Sequence, residues 1–155
     1  MKYSIDTNAL INCWRRTYPR DVFPGLWIKL EELVQVGNLI ASEEVLRELE
    51  KVDDDDTLLQ WARTNRQMFV STDEQIQLAV RTILGAHPGL VNIRKNQSGA
   101  DPFVIAVAKV NNGAVITDER VSNNPERPKI PDVCRAIGIK SFSVLNFLKG
   151  QGWIF

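Results

Sequence analysis

One stretch of the chain decides the fold: residues 101–119 read DPFVIAVAKVNNGAVITDE. Its opening aspartate and proline predict a helix start, because aspartate is a favoured N-cap residue and proline fits the first helical position. Residues 103–110 are apolar nearly all round, so this helix should be deeply packed. The turn at residues 111–113 then leads into a strand over residues 114–117 that ends at two acidic residues.

The same alternation of short apolar strands and amphipathic helices extends outward in both directions. We predict strands at residues 2–6, 38–41, 114–117 and 141–144, and helices that carry the apolar positions 10–14, 26–34, 45–52, 58–62, 76–84, 103–110, 133–137 and 148. Strands that alternate with helices predict an α/β protein with a central parallel sheet covered on both faces. The 155 residues suffice for one well-buried core, so we expect a single domain over residues 1–155.

Composition excludes several classes of function. Lys and Arg number 19, and so do Asp and Glu, so a general coat for polyanions is not expected and any nucleic-acid contact needs a local basic patch. His87 is the single histidine, which excludes two-imidazole sites, and Cys13 and Cys134 cannot form a thiolate zinc cage. There is no apolar run of membrane-spanning length and no signal-peptide pattern, so we expect a cytoplasmic protein without membrane contact.

Acidic residues from four separate segments are expected at one edge of the predicted sheet. Ligands bind beyond the carboxyl ends of parallel strands, where the following helices also begin. One acid ends the first strand, two follow the strand at residues 114–117, one begins the helix at residue 101, and one lies in the second turn of the helix that Ser42 caps. These acids are Asp6, Asp118, Glu119, Asp101 and Glu48.

Helical periodicity selects Glu48 among the acids of its helix. At 100° per residue, Glu48 lies about 90° from the centre of the apolar face, whereas Glu50 lies about 110° away and Glu43 and Glu44 about 130° away. Glu48 is therefore the acid expected to be half-buried.

Each acid also has a simple structural interpretation: Asp6 and Asp101 as helix caps, Glu48 as a solvated helix residue, and Asp118 and Glu119 as turn residues. Their convergence favours a site, because four independent explanations must otherwise coincide. Clustered carboxylates repel one another, and a divalent cation removes that conflict. Oxygen ligands without histidine or cysteine suit Mg²⁺ or Mn²⁺, and such a site is typical of phosphate-ester chemistry.

Two groups of basic residues lie close in sequence to these acids. The first is interleaved with Trp14 and Tyr18 after the first acid, and the second immediately precedes the acid at residue 101. Guanidinium groups can hold backbone phosphates and an aromatic ring can stack on an unpaired base, although a solvated charged face explains either group equally well. The candidate RNA-binding residues are Arg15, Arg16, Arg20, Arg94 and Lys95.

Four motifs together resemble the PIN-domain family of metal-dependent nucleases over nearly the whole chain. They are IDTN at residues 5–8, SEEVLREL at 42–49, DPFVIAVA at 101–108 and VITDE at 115–119. The fourth motif departs from the family, which usually has aspartate two residues after the threonine; here Glu119 stands there with Asp118 between, so either could be the fourth ligand. The segment around residues 129–139 resembles a less-studied PIN-like subgroup.

The resemblance implies a three-layer α/β/α sandwich and hydrolysis of RNA phosphodiester bonds with Mg²⁺ or Mn²⁺. It assigns cation binding to Asp6, Glu48 and Asp101 and to a fourth acid, which is either Asp118 or Glu119. These four ligands are also assigned catalytic roles. It assigns supporting hydrogen bonds to Thr7, Asn8 and Thr117.

Many bacterial PIN proteins of this size are VapC-type toxins of type II toxin–antitoxin pairs, which commonly form homodimers and are neutralised by an antitoxin. The resemblance therefore implies an RNA substrate, a cognate antitoxin and a homodimer. The alternative is a non-catalytic PIN fold that binds RNA or acts as a regulatory interaction module, which fits the zero net charge and the altered fourth motif. A haloacid dehalogenase-type phosphatase is disfavoured, because Asn8 stands where that motif needs a second aspartate.

Overall fold

The computed structural model describes residues 1–52, 56–91 and 99–155, with the backbone alone at Asp56. The strands are β1 (Tyr3–Ile5), β2 (Leu39–Ser42), β3 (Phe69–Val70), β4 (Ala114–Ile116) and β5 (Ser141–Phe142). The helices are α1 (Thr7–Asn12), α2 (Pro24–Gln35), α3 (Glu43–Lys51), α4 (Asp56–Thr64), α5 (Glu74–Ala86), α6 (Asp101–Val110), α7 (Ile130–Ile137) and α8 (Val144–Gln151).

The five strands form one parallel sheet in the order β3-β2-β1-β4-β5. Tyr3 of β1 pairs with Leu39 of β2 on one side and with Ala114 of β4 on the other. Eight helices flank this sheet within the described residues, so the predicted α/β/α sandwich with a central parallel sheet is confirmed.

Strand order places a crevice between β1 and β4. The chain moves from β1 to β2 and β3 in one direction, and it returns to β4 and β5 on the other side of β1. Such a reversal separates the loops that leave the two strands and opens a ligand crevice at their carboxyl ends. Asp6 and Thr117, which follow β1 and β4, therefore lie at the strand ends where such a crevice is expected.

Helix α6 forms the centre of the core, as its apolar composition predicts. Residues 104–108 are fully buried, and the helix packs against α5 and lies across β1, β2 and β4. The Ser4 hydroxyl donates a hydrogen bond of 2.8 Å to the Val104 carbonyl oxygen, which satisfies a buried polar group of β1. The burial of α6 holds its first residue, Asp101, near the ends of β1 and β4.

The turn between α6 and β4 passes very close to the backbone before β1. A Cβ atom built on Gly113 would lie 2.3 Å from the Lys2 carbonyl oxygen, a distance no side chain tolerates. The same carbonyl accepts a hydrogen bond of 2.9 Å from the Ala114 amide. Glycine at this position is therefore required for β4 to pair with β1 in the observed register.

Several details differ from the sequence predictions. Strand β3 was not predicted, since two residues are too short for a recognisable alternation. The last strand ends at Phe142, because Val144 already begins α8. The first helix continues beyond α1 as one wider π-helical turn over Cys13–Thr17.

The predicted capping by Asp101 is wrong. Asp101 is the first residue of α6, and Ala100 occupies the N-cap position in a helical conformation. The Asp101 carboxylate therefore does not cap the N-terminus of α6.

Along residues 1–52, 56–91 and 99–155, no helix combines the length and the apolar character needed to span a bilayer.

Candidate active site

Asp6 lies at the end of β1 and is almost completely buried, with 2% of its surface exposed. Its amide donates a hydrogen bond of 2.9 Å to the Ile116 carbonyl, so the β1–β4 ladder extends to this residue. Its Oδ2 atom accepts a hydrogen bond of 3.1 Å from the Thr117 hydroxyl. Although Asp6 occupies the N-cap position of α1, its side chain makes no capping hydrogen bond, so capping does not explain this aspartate.

Glu48 is oriented by the first helix. Its Oε1 atom accepts a hydrogen bond of 3.0 Å from the buried Thr7 hydroxyl. The helix that carries Glu48 starts at Ser42, whose hydroxyl accepts a hydrogen bond of 3.1 Å from the Glu44 amide, as the capping pattern predicts. Glu48 is half-buried as the helical periodicity predicts, but Glu43 and Glu44 are half-buried as well, so burial alone does not distinguish Glu48.

The carboxyl groups of Asp6 and Asp101 have strongly raised pKa values. Burial, the charge of Glu119 and the charge of Glu48 raise the pKa of Asp6 to about 7, although the Thr117 hydrogen bond opposes the shift. Burial, followed by the charges of Asp6, Glu119 and Glu48, raises the pKa of Asp101 to about 8. Since the charges of Glu48 and Glu119 act on both aspartates, and that of Asp6 acts on Asp101, the fold has brought these four acids into one region, the acidic cluster.

Glu119, and not Asp118, belongs to the acidic cluster. The Asp118 side chain is exposed, and its Oδ1 accepts a hydrogen bond of 2.9 Å from the Val144 amide at the start of α8. Asp118 therefore satisfies a free N–H group at a helix N-terminus. Its charge raises the pKa of Cys13, where burial is the larger cause, and it is not among the charges that act on Asp6 or Asp101.

Glu119 is held by backbone groups on two sides. Its Oε2 atom accepts a hydrogen bond of 3.2 Å from the Ile130 amide at the start of α7. Its own amide donates a hydrogen bond of 3.1 Å to the Thr117 hydroxyl, which in turn donates to Asp6. Thr117 thus links the carboxylates that follow β1 and β4.

Lys129 is a residue of this site that the sequence analysis missed. It is exposed, and its charge lowers the otherwise raised pKa of Asp101. Its amide donates a hydrogen bond of 2.8 Å to Oδ2 of Asp132, which fixes the chain just before α7. The sequence did offer one indication of this role, because Lys129 immediately precedes a predicted helix, and the starts of such helices lie at the edge of the sheet where the acids are expected.

The family model described as Domain of unknown function (DUF4411) matches residues 3–155. The chain belongs to this family. No curated protein sequence shows significant similarity to this DUF4411 chain.

Two solved structures are similar to the DUF4411 chain in fold. The first is a chain of VapBC2 from Rickettsia felis, crystallised with a DNA fragment from the promoter, at 16% identity and a TM-score of 0.57, covering 92% of this chain and 98% of that one. The second is a chain of FitAcB from Neisseria gonorrhoeae, at 15% identity and a TM-score of 0.55, covering 90% of this chain and 96% of that one. At this identity the likeness shows the fold, which is the predicted PIN-like class.

The other predicted residues of this DUF4411 chain lie in different surroundings. Asn8 is exposed on the first turn of α1, and in the described part of the chain its side chain forms no hydrogen bond with the acidic cluster. Arg15 and Arg16 are exposed on the π-helical turn, whereas Arg20 forms an ion pair of 3.5 Å with Glu31. Their contribution to RNA binding stays a prediction.

The aromatic residues beside these arginines are part of the hydrophobic packing. Trp14 packs edge-to-face on Trp27 with ring centroids 4.8 Å apart, and Tyr18 packs on Phe23 at 5.5 Å. The candidate residues Arg94 and Lys95 lie outside the described residues.

The donors of the acidic cluster match a hard divalent cation in chemistry. All are carboxylate oxygens, and Asp6 and Asp101 resist ionisation where they stand. Within residues 1–52, 56–91 and 99–155, however, no group of three or more His, Cys, Asp or Glu side chains is arranged to hold a metal ion as it stands. Binding a cation in this cluster therefore requires the carboxylates to move together.

Proposed function

We propose that this chain is an endoribonuclease that depends on Mg²⁺ or Mn²⁺. The observation that carries the proposal is the pair of carboxyl groups of buried Asp6 and half-buried Asp101, whose pKa values are raised to about 7 and about 8. Burying acids without a structural role is unfavourable, so such perturbed groups in a crevice favour a functional site.

Four acids would hold the cation: Asp6, Glu48, Asp101 and Glu119. When bound, the cation would neutralise charge on the phosphodiester and make water a better nucleophile. The Thr117 hydroxyl would support Asp6, and the Thr7 hydroxyl would support Glu48, by donating a hydrogen bond to each carboxylate.

Two further groups of the chain support this site. The Ile130 amide positions Glu119 through its hydrogen bond. Lys129 favours the charged form of Asp101, and its exposed ammonium group is available to a substrate phosphate.

The proposal extends to the role of the chain as a toxin and to its protein partners. The similar chains come from structures titled VapBC2 and FitAcB, and the PIN-like motifs at residues 5–8 and 101–108 resemble those of toxin ribonucleases. We therefore infer a single cytoplasmic domain over residues 1–155 that acts as the toxin of a type II pair, is neutralised by an antitoxin and forms a homodimer.

A second candidate is a non-catalytic PIN fold that binds RNA or a regulatory partner. It is favoured by the finding that the described acidic side chains are not arranged to hold a metal ion as they stand. It also fits the altered fourth motif, in which glutamate stands at residue 119. This module would not need Mn²⁺ at the acidic cluster.

Cleavage of a labelled single-stranded RNA with Mn²⁺ tests the nuclease proposal. We expect the parent to cut the RNA and chelation by EDTA to stop cleavage. Asp6→Asn and Asp101→Asn should each lose about 100-fold or more in rate, whereas Glu50→Gln, which removes an exposed carboxylate of α3, should cut at the parent rate.

Calorimetric titration with Mn²⁺ separates the two candidates. The enzyme should bind Mn²⁺ and lose that binding in Asp101→Asn. Equal RNA cleavage by parent and both aspartate variants would refute the assignment, and RNA binding without Mn²⁺ binding would favour the module.

A further inference from the structure

A cleft of about 500 Å³ has no role in the site described above, and none of the four acids of the acidic cluster lines it. One wall is the end of α5, with Ala86 and His87, and the opposite wall is the loop between β4 and α7. The loop contributes Asn123, Asn124 and the rings of Pro125 and Pro128. The volume falls within the range of small-ligand sites in proteins.

The two walls of the cleft are held together by close backbone packing. A Cβ atom built on Gly89 would lie 2.0 Å from the Glu126 carbonyl oxygen, so the turn after α5 touches the loop. Asp132, in the first turn of α7, also lines the cleft, and its Oδ2 accepts hydrogen bonds from two residues of the loop, the Ser122 amide at 2.9 Å and the Lys129 amide at 2.8 Å. The cleft is therefore preformed by contacts within the chain.

Polar groups of the cleft are available to a ligand. Within the described part of the chain, the His87 ring and the Asn123 side chain form no hydrogen bond, and the Asn124 side chain uses only its Oδ1, which accepts from the Glu126 backbone N–H at 3.0 Å. The His87 imidazole can stack on a flat ring, and the aliphatic rings of Pro125 and Pro128 add apolar contact surface, so the lining combines a stacking surface with donors and acceptors. A nucleobase requires this combination, because single-stranded bases are recognised by stacking and by hydrogen bonds at their edges.

The cleft and the acidic cluster share one short segment. Pro128 lines the cleft, the charge of Lys129 acts on Asp101, and the Ile130 amide bonds to Glu119. Two more cations of the loop, Arg120 and Arg127, are exposed and form no ion pair among the described residues. If a base of an RNA strand occupied the cleft, the neighbouring phosphates could therefore contact Arg120, Arg127 and Lys129, and the strand would continue toward the acidic cluster.

We propose that this cleft binds one unpaired nucleobase of an RNA strand whose neighbouring phosphodiester lies at the acidic cluster. The proposal rests on the nuclease function proposed above, because that function supplies the strand. The cleft would then decide which base is preferred beside the cleaved bond. Groups in this site read the base, and the acids act on the backbone.

Two variants test the cleft without removing an acid. Ala86→Trp fills the cleft from an exposed position at the end of α5, and His87→Ala removes a polar ring from its wall. Leu78→Trp is the matched control, since Leu78 is an exposed apolar residue of the same helix that does not line the cleft.

Binding is measured by fluorescence anisotropy in an Asp101→Asn background, with labelled oligo(A), oligo(C) and oligo(U) of roughly eight nucleotides. We expect Ala86→Trp and His87→Ala to weaken binding about tenfold for the preferred base and less for the others. The Leu78→Trp control should bind as its parent does. Unchanged affinity in both cleft variants, or no binding by the parent, would overturn the proposal.

Cleavage in the otherwise unaltered chain separates this inference from the nuclease proposal. A mixed-sequence RNA with Mn²⁺ should be cut with a base preference that Ala86→Trp relaxes. Cleavage by the parent with the same preference in both cleft variants would refute the cleft and leave the nuclease intact. Weakened binding in the cleft variants without cleavage by the parent would support base binding and refute the nuclease.

Discussion

The Thr117 hydroxyl donates a hydrogen bond of 3.1 Å to the Asp6 carboxylate and so joins the ends of two neighbouring strands. Glu119 depends on the same hydroxyl, to which its amide donates. Thr117 is therefore a positioning residue for two acids, although its side chain carries no charge.

Replacing Thr117 with valine should impair catalysis more than folding. Loss of the hydrogen bond to Asp6 raises the pKa of that carboxyl further, because this bond lowers it in the parent. We expect RNA cleavage near neutral pH to fall between about 10- and 100-fold and the deficit to shrink as the pH rises. Thr117→Ser should restore the rate, and Thr82→Val, on the exposed side of α5, should have no effect on it. An unchanged pH–rate profile in Thr117→Val would contradict the role assigned to this hydroxyl.

Stability should decline as the pH rises when no divalent cation is present. Burial, aided by neighbouring charges, raises the pKa of Asp6 to about 7 and of Asp101 to about 8, from 3.8 for both. The native state therefore holds protons that the unfolded chain has already released above about pH 4, so the free energy of unfolding falls as the pH rises through this range.

Urea unfolding in EDTA at about pH 5.5 and about pH 8.5 measures this decline. We expect a loss of about 5 kcal/mol for the parent and a smaller loss for Asp101→Asn, which should be the more stable protein at the higher pH. Glu50→Gln removes an exposed carboxylate and should keep the parental slope. A parent whose stability is the same at both pH values would show that the buried acids are not protonated.

Mn²⁺ should stabilise the fold and displace protons when it binds. At a concentration of about 100 times Kd, binding contributes about 2.7 kcal/mol, which for a chain of this size corresponds to about 5–10 °C in Tm. Because Asp6 and Asp101 hold protons near neutral pH, the apparent affinity should rise with pH. Calorimetry in two buffers of different ionisation enthalpy measures the released protons, and Asp6→Asn should lose the Tm increase. A parent Tm that does not respond to Mn²⁺ would argue against a cation at these acids.

The two neighbouring acids after β4 should have separable functions. Asp118→Asn keeps an oxygen that can accept from the Val144 amide, so we expect parental activity and stability. Asp118→Ala should lose about 1 kcal/mol of stability at the start of α8 and remain active. Glu119→Gln keeps an acceptor for the Ile130 amide but removes the charge, so cleavage should fall about 100-fold with little change in Tm. The reverse pattern, with Asp118→Asn inactive, would exchange the roles of the two residues.

Sequence periodicity was sufficient to predict most of the architecture. The apolar helix α6 and strands β1, β2, β4 and β5 follow from local composition, and the position of the acids at the strand ends follows from the rules of parallel sheets. The helix face correctly predicted Glu48 to be half-buried, but Glu43 and Glu44 are half-buried too, and Glu48 is distinguished by its hydrogen bond from Thr7. Strand β3 could not be predicted, because its two residues form a strand only through pairing with β2.

The finer assignments at the site depend on tertiary contacts. The choice between Asp118 and Glu119 is decided by the amides of Val144 and Ile130, which belong to helices far along the chain. Lys129 has no motif, and its effect on Asp101 arises only when α7 is docked. The capping prediction for Asp101 was wrong because Ala100 continues the helical conformation one residue earlier.

The close approach of Gly113 to the Lys2 carbonyl has a consequence for the opposite end of β4. Only the three residues of that strand separate the glycine from Thr117, and the paired backbones are rigid along this length. A methyl group introduced at the base of the sheet would push β4 past β1, and the displacement would reach the threonine that aligns Asp6. Mutations that abolish activity can therefore lie at the edge of the sheet opposite to the acidic cluster.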